Sequence, residues 1–424
     1  RYRVIDIVEK LRREAMIISS VVQKYNGRSL YSMTKLREVA KHIAQLKDQY
    51  ENMVIVVGNI GHTTGDLIAM GKEAGENIPK RELEALLAAG EQQAAALLAT
   101  AICDFGVEAQ SMMGTQSGFV GDYGGYSANA RVRQINTEKV EEIVKSGKIA
   151  VVAGFQGIDE NKDIIDIARS GSDITAVGIA AYFGWDCTTS DCMYTADPQI
   201  YDEAKPIRAI TYEEMMELTN LGADKVETRA VELAKKYNVK LFLGKSLEED
   251  KSKGTYIVNK EMIVNENLRV EDMPVTGMGI QDEVSIFTLR KVPSDGKAVA
   301  ECFRILGELE INVDMISQQM AQDGTCTVSF SCDDKQGEVL MTELGNQKAF
   351  DSIVVDREKG LAVISLVGVG MATHSGVSGE VFRILAENNV KYYHITTSEI
   401  SISVTVEMDD KLKAAIALCR EFHL

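Results

Sequence analysis

The stretch VVQKYNGRSL (21–30) places one cation, Lys24, where an apolar run meets a Gly-containing turn. In α/β proteins ligands bind just beyond the carboxyl ends of strands, so a lysine there suits a phosphate. A second stretch, IARSGSDITA (167–176), sets Arg169, Ser172 and Asp173 around Gly171, directly before the apolar run ITAVGIAAYFG. Free N–H groups and the positive dipole end at a helix start favour an anion, and Arg169 adds a two-pronged donor for a carboxylate. Capping by Ser172 or Asp173 is the plainer account of the same residues. Glu91, in AAGEQ (88–92), falls inside an otherwise apolar helical pattern. An ionised carboxylate is costly there unless paired, so Glu91 is either hydrogen-bonded scaffold or a substrate contact. GHTTGDL (61–67) follows an apolar run and offers a ligand loop or a helix cap by Thr63 or Thr64. ANARVR (128–133) adds Asn129 and Arg131, the latter with the profile of a solvated surface residue.

Such groups need strands and helices to aim them. MVIVV (53–57), KIAVVAGF (148–155) and VKLFL (239–243) have the continuous apolar character of strands buried on both faces. Leu36, Val39, Ala40, Ile43 and Leu46 recur at helical spacing, and LEALLAAGEQQAAALLATAI reads as a long buried helix. This alternation predicts a mostly parallel sheet sandwiched by helices. The hydrophilic GKSLEEDKSKGT (244–255) closes that unit.

Beyond it the pattern changes. CFRILGELEINVDMI (302–316) and VFRILAENNVKYYHI (381–395) share Phe-Arg-Ile-Leu at a spacing of 79 residues, with Ile311 and Ile316 in register with Val390 and Ile395. An internal repeat of strand, turn, helix and strand predicts two small ferredoxin-like α+β modules. The expected organisation is a first domain over 21–258, a linker and shared strand over 259–283, and modules over 284–345 and 346–424.

The 424 residues, 45% hydrophobic, suffice for two or three domains with real cores. The net charge of −17 is spread over mixed acidic and basic residues. That disfavours nucleic acid and anionic membrane as main partners and points to a small soluble ligand. Seven scattered cysteines without a CxxC pair are the usage of reduced thiols. Cys187 and Cys192 have a spacing open to metal ligation, yet no neighbouring His completes a tetrahedral set, so no metal site is expected. With no signal peptide or apolar run of transmembrane length, the expected location is cytoplasmic.

Each of these signals is weak alone, but their order is specific. Lys24-Tyr-Asn-Gly27, VIVVGNIGHTTGDL, KRELEALLAAGEQ, SANARV, VVAGFQGIDENKDI, RSGSDITA, YTADP and LGADKVETRAVELAKKYNV resemble, in sequence and order, the aspartate kinases. INVDMISQ and TTSEISISV resemble that family's paired ACT domains, and the resemblance covers about 400 of the 424 residues. It implies the amino-acid kinase fold followed by two ferredoxin-like ACT domains. It implies transfer of the γ-phosphate of ATP, used with Mg²⁺, to the β-carboxylate of aspartate, giving 4-phosphoaspartate. Feedback by lysine, threonine or both is implied as well, at the first step of the aspartate-derived amino-acid pathway. Residue by residue, Lys24 would neutralise the transferring phosphate with Asp173 beside it. Thr63, Glu91, Arg169 and Ser172 would hold aspartate, Arg169 by the α-carboxylate and Glu91 by the ammonium. Gly27, Thr188, Tyr194 and Lys225 would face the nucleotide. Placing two anions in line and screening their charge is most of such catalysis.

Several positions depart from the family pattern. KYNGRS stands for Lys-Phe-Gly-Gly-Thr-Ser, so Asn26 and Arg28 replace Gly and Thr. The Ser after the second strand is Gly58, the Ser-Thr before Gly-Glu is Ala88 and Ala89, and the Asp after Thr188 is Thr189. A Gly becomes Cys192, the Arg after Asp-Pro becomes Gln199, and the nucleotide-side Lys falls on Asp224, with Lys225 one residue displaced. The first ACT loop, VPSDGKA, lacks Pro-Gly. An amino-acid-sensing kinase homologue with weakened turnover, or a kinase for a different carboxylate, are the alternatives these changes leave open.

An effector would bind between the ACT modules, at Asn312, Asp314 and Gln318, with Met371, Thr373 and His374 opposite and Ser398 and Glu399 nearby. A buried carboxylate such as Asp314 can pair with an effector ammonium while N–H groups of the Gly-rich loop take its carboxylate. Turn and strand-edge roles for Asn312 and Asp314 are the plainer account. The sheet edge that such modules expose predicts a homodimer or higher oligomer. Relatives of this type sometimes add a separate ACT-only subunit.

Overall fold

Short apolar runs make the centre of the first unit, because strands covered by helices on both faces have no solvent side to keep polar. The computed structural model describes residues 20–123, 130–167, 171–190, 192–223, 225–244, 253–265, 274–321, 323–372, 374 and 376–424. One unit is built on Pro206–Thr219 and the described parts of Arg1–Met193 and Asp224–Val270; the other comprises Tyr194–Lys205, Asn220–Ala223 and the described parts of Glu271–Leu424. The chain therefore enters the second unit in two short excursions before settling in it.

The strands of the first unit, in chain order, are β1 (Val21–Tyr25), β2 (Met53–Val57), β3 (Ala109–Met112), β4 (Phe119–Asp122), β5 (Arg131–Ile135), β6 (Ile149–Ala153), β7 (Gln156–Ile158), β8 (Ile164–Asp166), β9 (Asp186–Ser190), β10 (Ala209–Thr211), β11 (Leu241–Gly244) and β12 (Thr255–Val258). Eight of them form a sheet in the order β10-β12-β11-β9-β1-β2-β6-β3, and a smaller sheet runs β5-β4-β7-β8. In the larger sheet only β11 and β12 pair antiparallel among the described residues. All five residues of β1, β2 and β6 are buried. The helices that matter to the site are α1 (Met33–Leu46), α2 (Thr63–Ala74), α3 (Lys80–Asp104), α4 (Gly171–Phe183) and α5 (Thr228–Tyr237). Leu36, Val39, Ala40, Ile43 and Leu46 of α1 are the buried stripe that their spacing predicts. By length and apolarity α3 could cross a bilayer, but it packs on α1, α2, β3 and β6 and buries Ala94, Ala95, Leu98 and Ile102 as a core helix.

The second unit carries an antiparallel sheet ordered β14-β15-β13-β16-β18-β17. Its strands are β13 (Gly277–Pro293), β14 (Ile316–Met320), β15 (Thr325–Asp333), β16 (Val354–Val367), β17 (Tyr392–Thr397) and β18 (Ser401–Glu407). Helices α6 (Lys297–Glu308) and α7 (Asp334–Asn346) belong to one half, α8 (Val377–Glu387) and α9 (Lys411–Glu421) to the other. Phe-Arg-Ile-Leu falls on α6 and α8, and in each copy Ile and Leu enter a core: Ile305 and Leu306 beside Phe287, Val328 and Phe330, and Ile384 and Leu385 beside Ile364, Val404 and Leu418. The repeat extends to charges, since Arg304 pairs with Glu301 and Glu308 as Arg383 pairs with Glu380 and Glu387. These exposed pairs add little stability. Both halves hang on two long strands, because β13 and β16 pair along nearly their whole length, with register shifts between Gln281 and Ile286. Arg357 of β16 is buried and pairs with Asp334 (2.9 Å) and Glu338 (2.8 Å) while donating to Ser285 Oγ (2.9 Å).

Candidate active site

At the carboxyl end of β1, Lys24 Nζ lies 2.9 Å from Asp173 Oδ1, the two side chains 8% and 3% exposed. Asp173 stands in the first turn of α4, and its Oδ2 accepts the Glu227 N–H at 3.3 Å. The approach of α4 to the sheet depends on Gly154, just past β6, where a Cβ would lie 2.6 Å from Ser172 Cβ. The turn after β1 is equally close to the next strand's loop: a Cβ on Gly27 would sit 2.9 Å from the Asn59 carbonyl. Asn26 holds that turn, accepting from Ser29 N (3.0 Å) and Ser29 Oγ (3.1 Å), so this departure from Gly has a structural use.

These strand ends and helix starts surround a cleft of about 670 Å³, within the range of small-ligand sites. Lys24, Gly27, Glu91, Ser172, Asp173 and Lys225, all singled out in the sequence, line it. Thr64 lines it too, whereas Thr63 does not; the Thr63 N–H and hydroxyl both bond the Ile60 carbonyl. Thr188 lies within β9, off the cleft lining, and Tyr194 belongs to the second unit. Arg169, Asn129 and Asp224 fall outside the described residues, as does Thr373.

Sequence reasoning missed Asn59, Phe155, Asp166, Val226 and Glu227 on the lining. Asn59 Nδ2 donates to Thr64 Oγ1 at 2.8 Å, turning that hydroxyl to a fixed orientation. Phe155 has a left-handed backbone (φ 73°) and its N–H donates to Thr175 Oγ1. Such strain in a bulky residue persists only where surroundings enforce it. Asp166 had a legible signal, an acid set between the apolar Ile164, Ile165 and Ile167. Glu227 had none.

Glu91 is 6% exposed, and its Oε2 has no hydrogen-bond partner. Burial pushes its carboxyl well above the ordinary range, the Asp166 charge pushes it further, and Lys24 with a Gln156 hydrogen bond pulls it partly back. An ammonium brought beside Glu91 would supply the missing partner. Gly58 leaves room rather than a hydroxyl, since a Cβ there would stand 3.8 Å from Ser172 Oγ and 3.9 Å from Glu91 Oε1. Thr189, beside Lys24 in the β1–β9 register, is buried with an unpartnered hydroxyl. The lining cation Lys24 and the carboxylates Glu91 and Asp173 suit positioning and charge screening of anionic ligands.

In the second unit the candidate effector residues lie on exposed ground. Asn312, Asp314, Gln318, His374, Ser398 and Glu399 are exposed, and Met371 packs partly into the core. Asp314 is thus not the buried carboxylate expected: it follows α6 on an open loop, although partial desolvation still raises its carboxyl. Met315 Sδ lies 3.4 Å from Thr396 Oγ1, and Gly368 N donates to Ile400 O at 2.8 Å. The two contacts bring the 312–315 loop, the end of β17 and the loop after β16 to neighbouring positions. The seven cysteines are all free, and Cys192 donates to the Lys253 carbonyl.

Known proteins resemble this chain along most of its length. Residues 19–245 match the amino acid kinase family and residues 364–422 an ACT domain. An aspartokinase of Bacillus sp. (strain MGA3) is 37% identical over 409 residues, covering 95% of this chain and 97% of that protein. Aspartokinase 2 of Bacillus subtilis is 34% identical, over 95% and 98%. Among solved structures, E. coli aspartokinase III in complex with aspartate and ADP matches with a TM-score of 0.75 and 19% identity, covering 96% of this chain and 100% of that one. Aspartate kinase from Synechocystis matches with a TM-score of 0.52 and 26% identity, over 96% and 69%. With that likeness running through both the kinase and the ACT portions, the chain belongs to the aspartokinase family.

Proposed function

We propose that this cleft transfers the γ-phosphoryl group of ATP to the β-carboxylate of L-aspartate, giving 4-phospho-L-aspartate under feedback through the ACT portion. The carrying observation is the buried Lys24–Asp173 pair at the end of β1, facing Glu91 across the same cleft. Lys24 stabilises charge on the transferring phosphoryl group, and Asp173, fixed by the Glu227 N–H, holds the ammonium in place. Glu91 takes the substrate ammonium, and Ser172 and Thr64 offer hydroxyls to its carboxylates. Arg169 is assigned the α-carboxylate on the family resemblance alone. Gly27 and Lys225 stand on the nucleotide side. ATP enters as its Mg²⁺ complex, with the metal carried mainly by phosphate oxygens. The E. coli relative's complex with aspartate and ADP supports this pairing of substrates.

The effector is lysine, threonine or both, bound near Asn312, Asp314 and Ser398. A homodimer forms through the exposed β14 edge, where Ile316 and Met320 are open to solvent. The free thiols fit a cytoplasmic setting. An ATP-dependent hydroxamate assay with aspartate, glutamate and no acceptor tests the reaction. Product with aspartate alone is expected; equal product with glutamate, or ADP release that ignores acceptor, would refute it.

A further inference from the structure

Arg229 lies outside the cleft, in the first turn of α5, where a cation opposes the helix dipole. Its position is explained by two carbonyls. Nη1 donates to Ile167 O at 2.8 Å and Nη2 to Ala130 O at 3.0 Å. These acceptors are bonded to the lining of the cleft: Ala130 N donates to Asp166 O at 3.2 Å, and Ile167 N donates to Phe155 O at 3.0 Å. Asp166 and Phe155 both line the cleft. On the other side, Arg229 follows Lys225, Val226 and Glu227, which also line it, and Glu227 N is bonded to Asp173 Oδ2. One guanidinium therefore joins the 225–227 segment to the ends of β8 and β5.

We propose that Arg229 is a positioning residue that couples the two substrates, so that filling the 225–227 side with nucleotide raises affinity for the amino acid on the Glu91–Asp166 side. This rests on the aspartokinase reading of the cleft. A nucleotide that orders 225–227 fixes the start of α5, and the planar fork of Arg229 carries that order to Ile167 and Ala130. Both sites then bias one shared arrangement, which is what energetic coupling requires. Lysine carries its donors on a single nitrogen and lacks the planar fork that sends a separate N–H to each carbonyl.

The test measures aspartate dissociation constants by calorimetry on the full chain, with and without a non-hydrolysable ATP analogue and Mg²⁺. In the wild type the analogue should tighten aspartate binding about fivefold or more. In Arg229→Ala, checked for folding by its thermal transition, the ratio should fall to about one, and Arg229→Lys should restore part of it. A purely structural role would lower the transition temperature and weaken both ligands while leaving the ratio unchanged, and that result would overturn the proposal. So would a wild type without coupling. Should Arg229→Ala not fold, Arg229→Lys alone decides: a wild-type ratio refutes, a reduced one supports. Wild-type turnover in the same preparation reports separately on the aspartokinase reading, so either can fail without the other.

Discussion

In the first unit, the charges that could meet a ligand are buried where a strand end and two helices meet, Lys24 and Asp173 paired and Glu91 Oε2 without a partner. In the antiparallel sheet of the second, the polar residues proposed for an effector, Asn312, Asp314, Gln318 and Glu399, stand open to solvent. A parallel sheet converges strand ends and helix starts on one edge, so a single chain encloses a site there. An antiparallel sheet with helices on one side leaves flat faces and edges, and polar groups on them gain strength only when something covers them. Among the described residues, the first unit encloses a cleft within itself, whereas the candidate effector residues of the second stand open.

The hardest blow to that contrast is Lys24→Ala. Turnover should drop about a thousandfold, as for loss of a preorganised charge in a dry site, and Asp173 left buried alone should cost about 3 kcal/mol or more in unfolding free energy. Stopped assays and chemical denaturation read the two effects; retained turnover would mean that the buried pair is scaffold.

Glu91→Gln sharpens the comparison through pH. Burial raises the Glu91 carboxyl, so between its unfolded and folded values the folded chain holds a proton that the unfolded chain has released. That contribution is fully present below the unfolded value and is lost as pH rises towards the folded one. The substitution should flatten this fall in stability of the ligand-free chain, and should raise the aspartate constant about tenfold or more by removing a charged partner. Parallel pH–stability curves for the two proteins would contradict the assignment.

Arg357→Leu removes a buried guanidinium and its ties to Asp334, Glu338 and Ser285 in the second unit, and should destabilise it by roughly 1–3 kcal/mol without changing aspartate affinity. Smallest in stability is Asp314→Ala, expected within about 0.5 kcal/mol because the residue is exposed. Calorimetry should nonetheless show loss of lysine or threonine binding in the same variant. Unchanged effector affinity would move the site elsewhere.

Where one residue type dominates a run, the sequence was a sufficient guide: MVIVV and the Leu36–Leu46 stripe announced β2 and α1, and Phe-Arg-Ile-Leu announced the repeat with its two cores. The site was legible where a charge interrupts apolar sequence, as at Lys24, Glu91 and Asp173. It was not legible where function depends on backbone approach across distant segments. Asn59, Phe155 and Glu227 reach the cleft because loops after three different elements meet there, and no local spacing records that meeting. The choice between Thr63 and Thr64 turns on which hydroxyl the start of α2 uses for Ile60, a matter of helix phase. Asp314 keeps the exposed turn role that was the plainer account of its sequence, since Ile311 and Met315 are buried on either side of it and β14 begins only at Ile316.

The two long strands of the second unit constrain how this gene can change. Since β13 and β16 each serve both halves of the repeat, inserting or deleting one codon in either strand would turn the side chains of one half to the wrong face relative to the other. The shifts between Gln281 and Ile286 mark the stretch where such an error could be absorbed. Length variation among descendants should therefore collect in that seam and in the helix-end turns, and the duplicated halves, however far their surfaces diverge, remain bound to evolve as one piece.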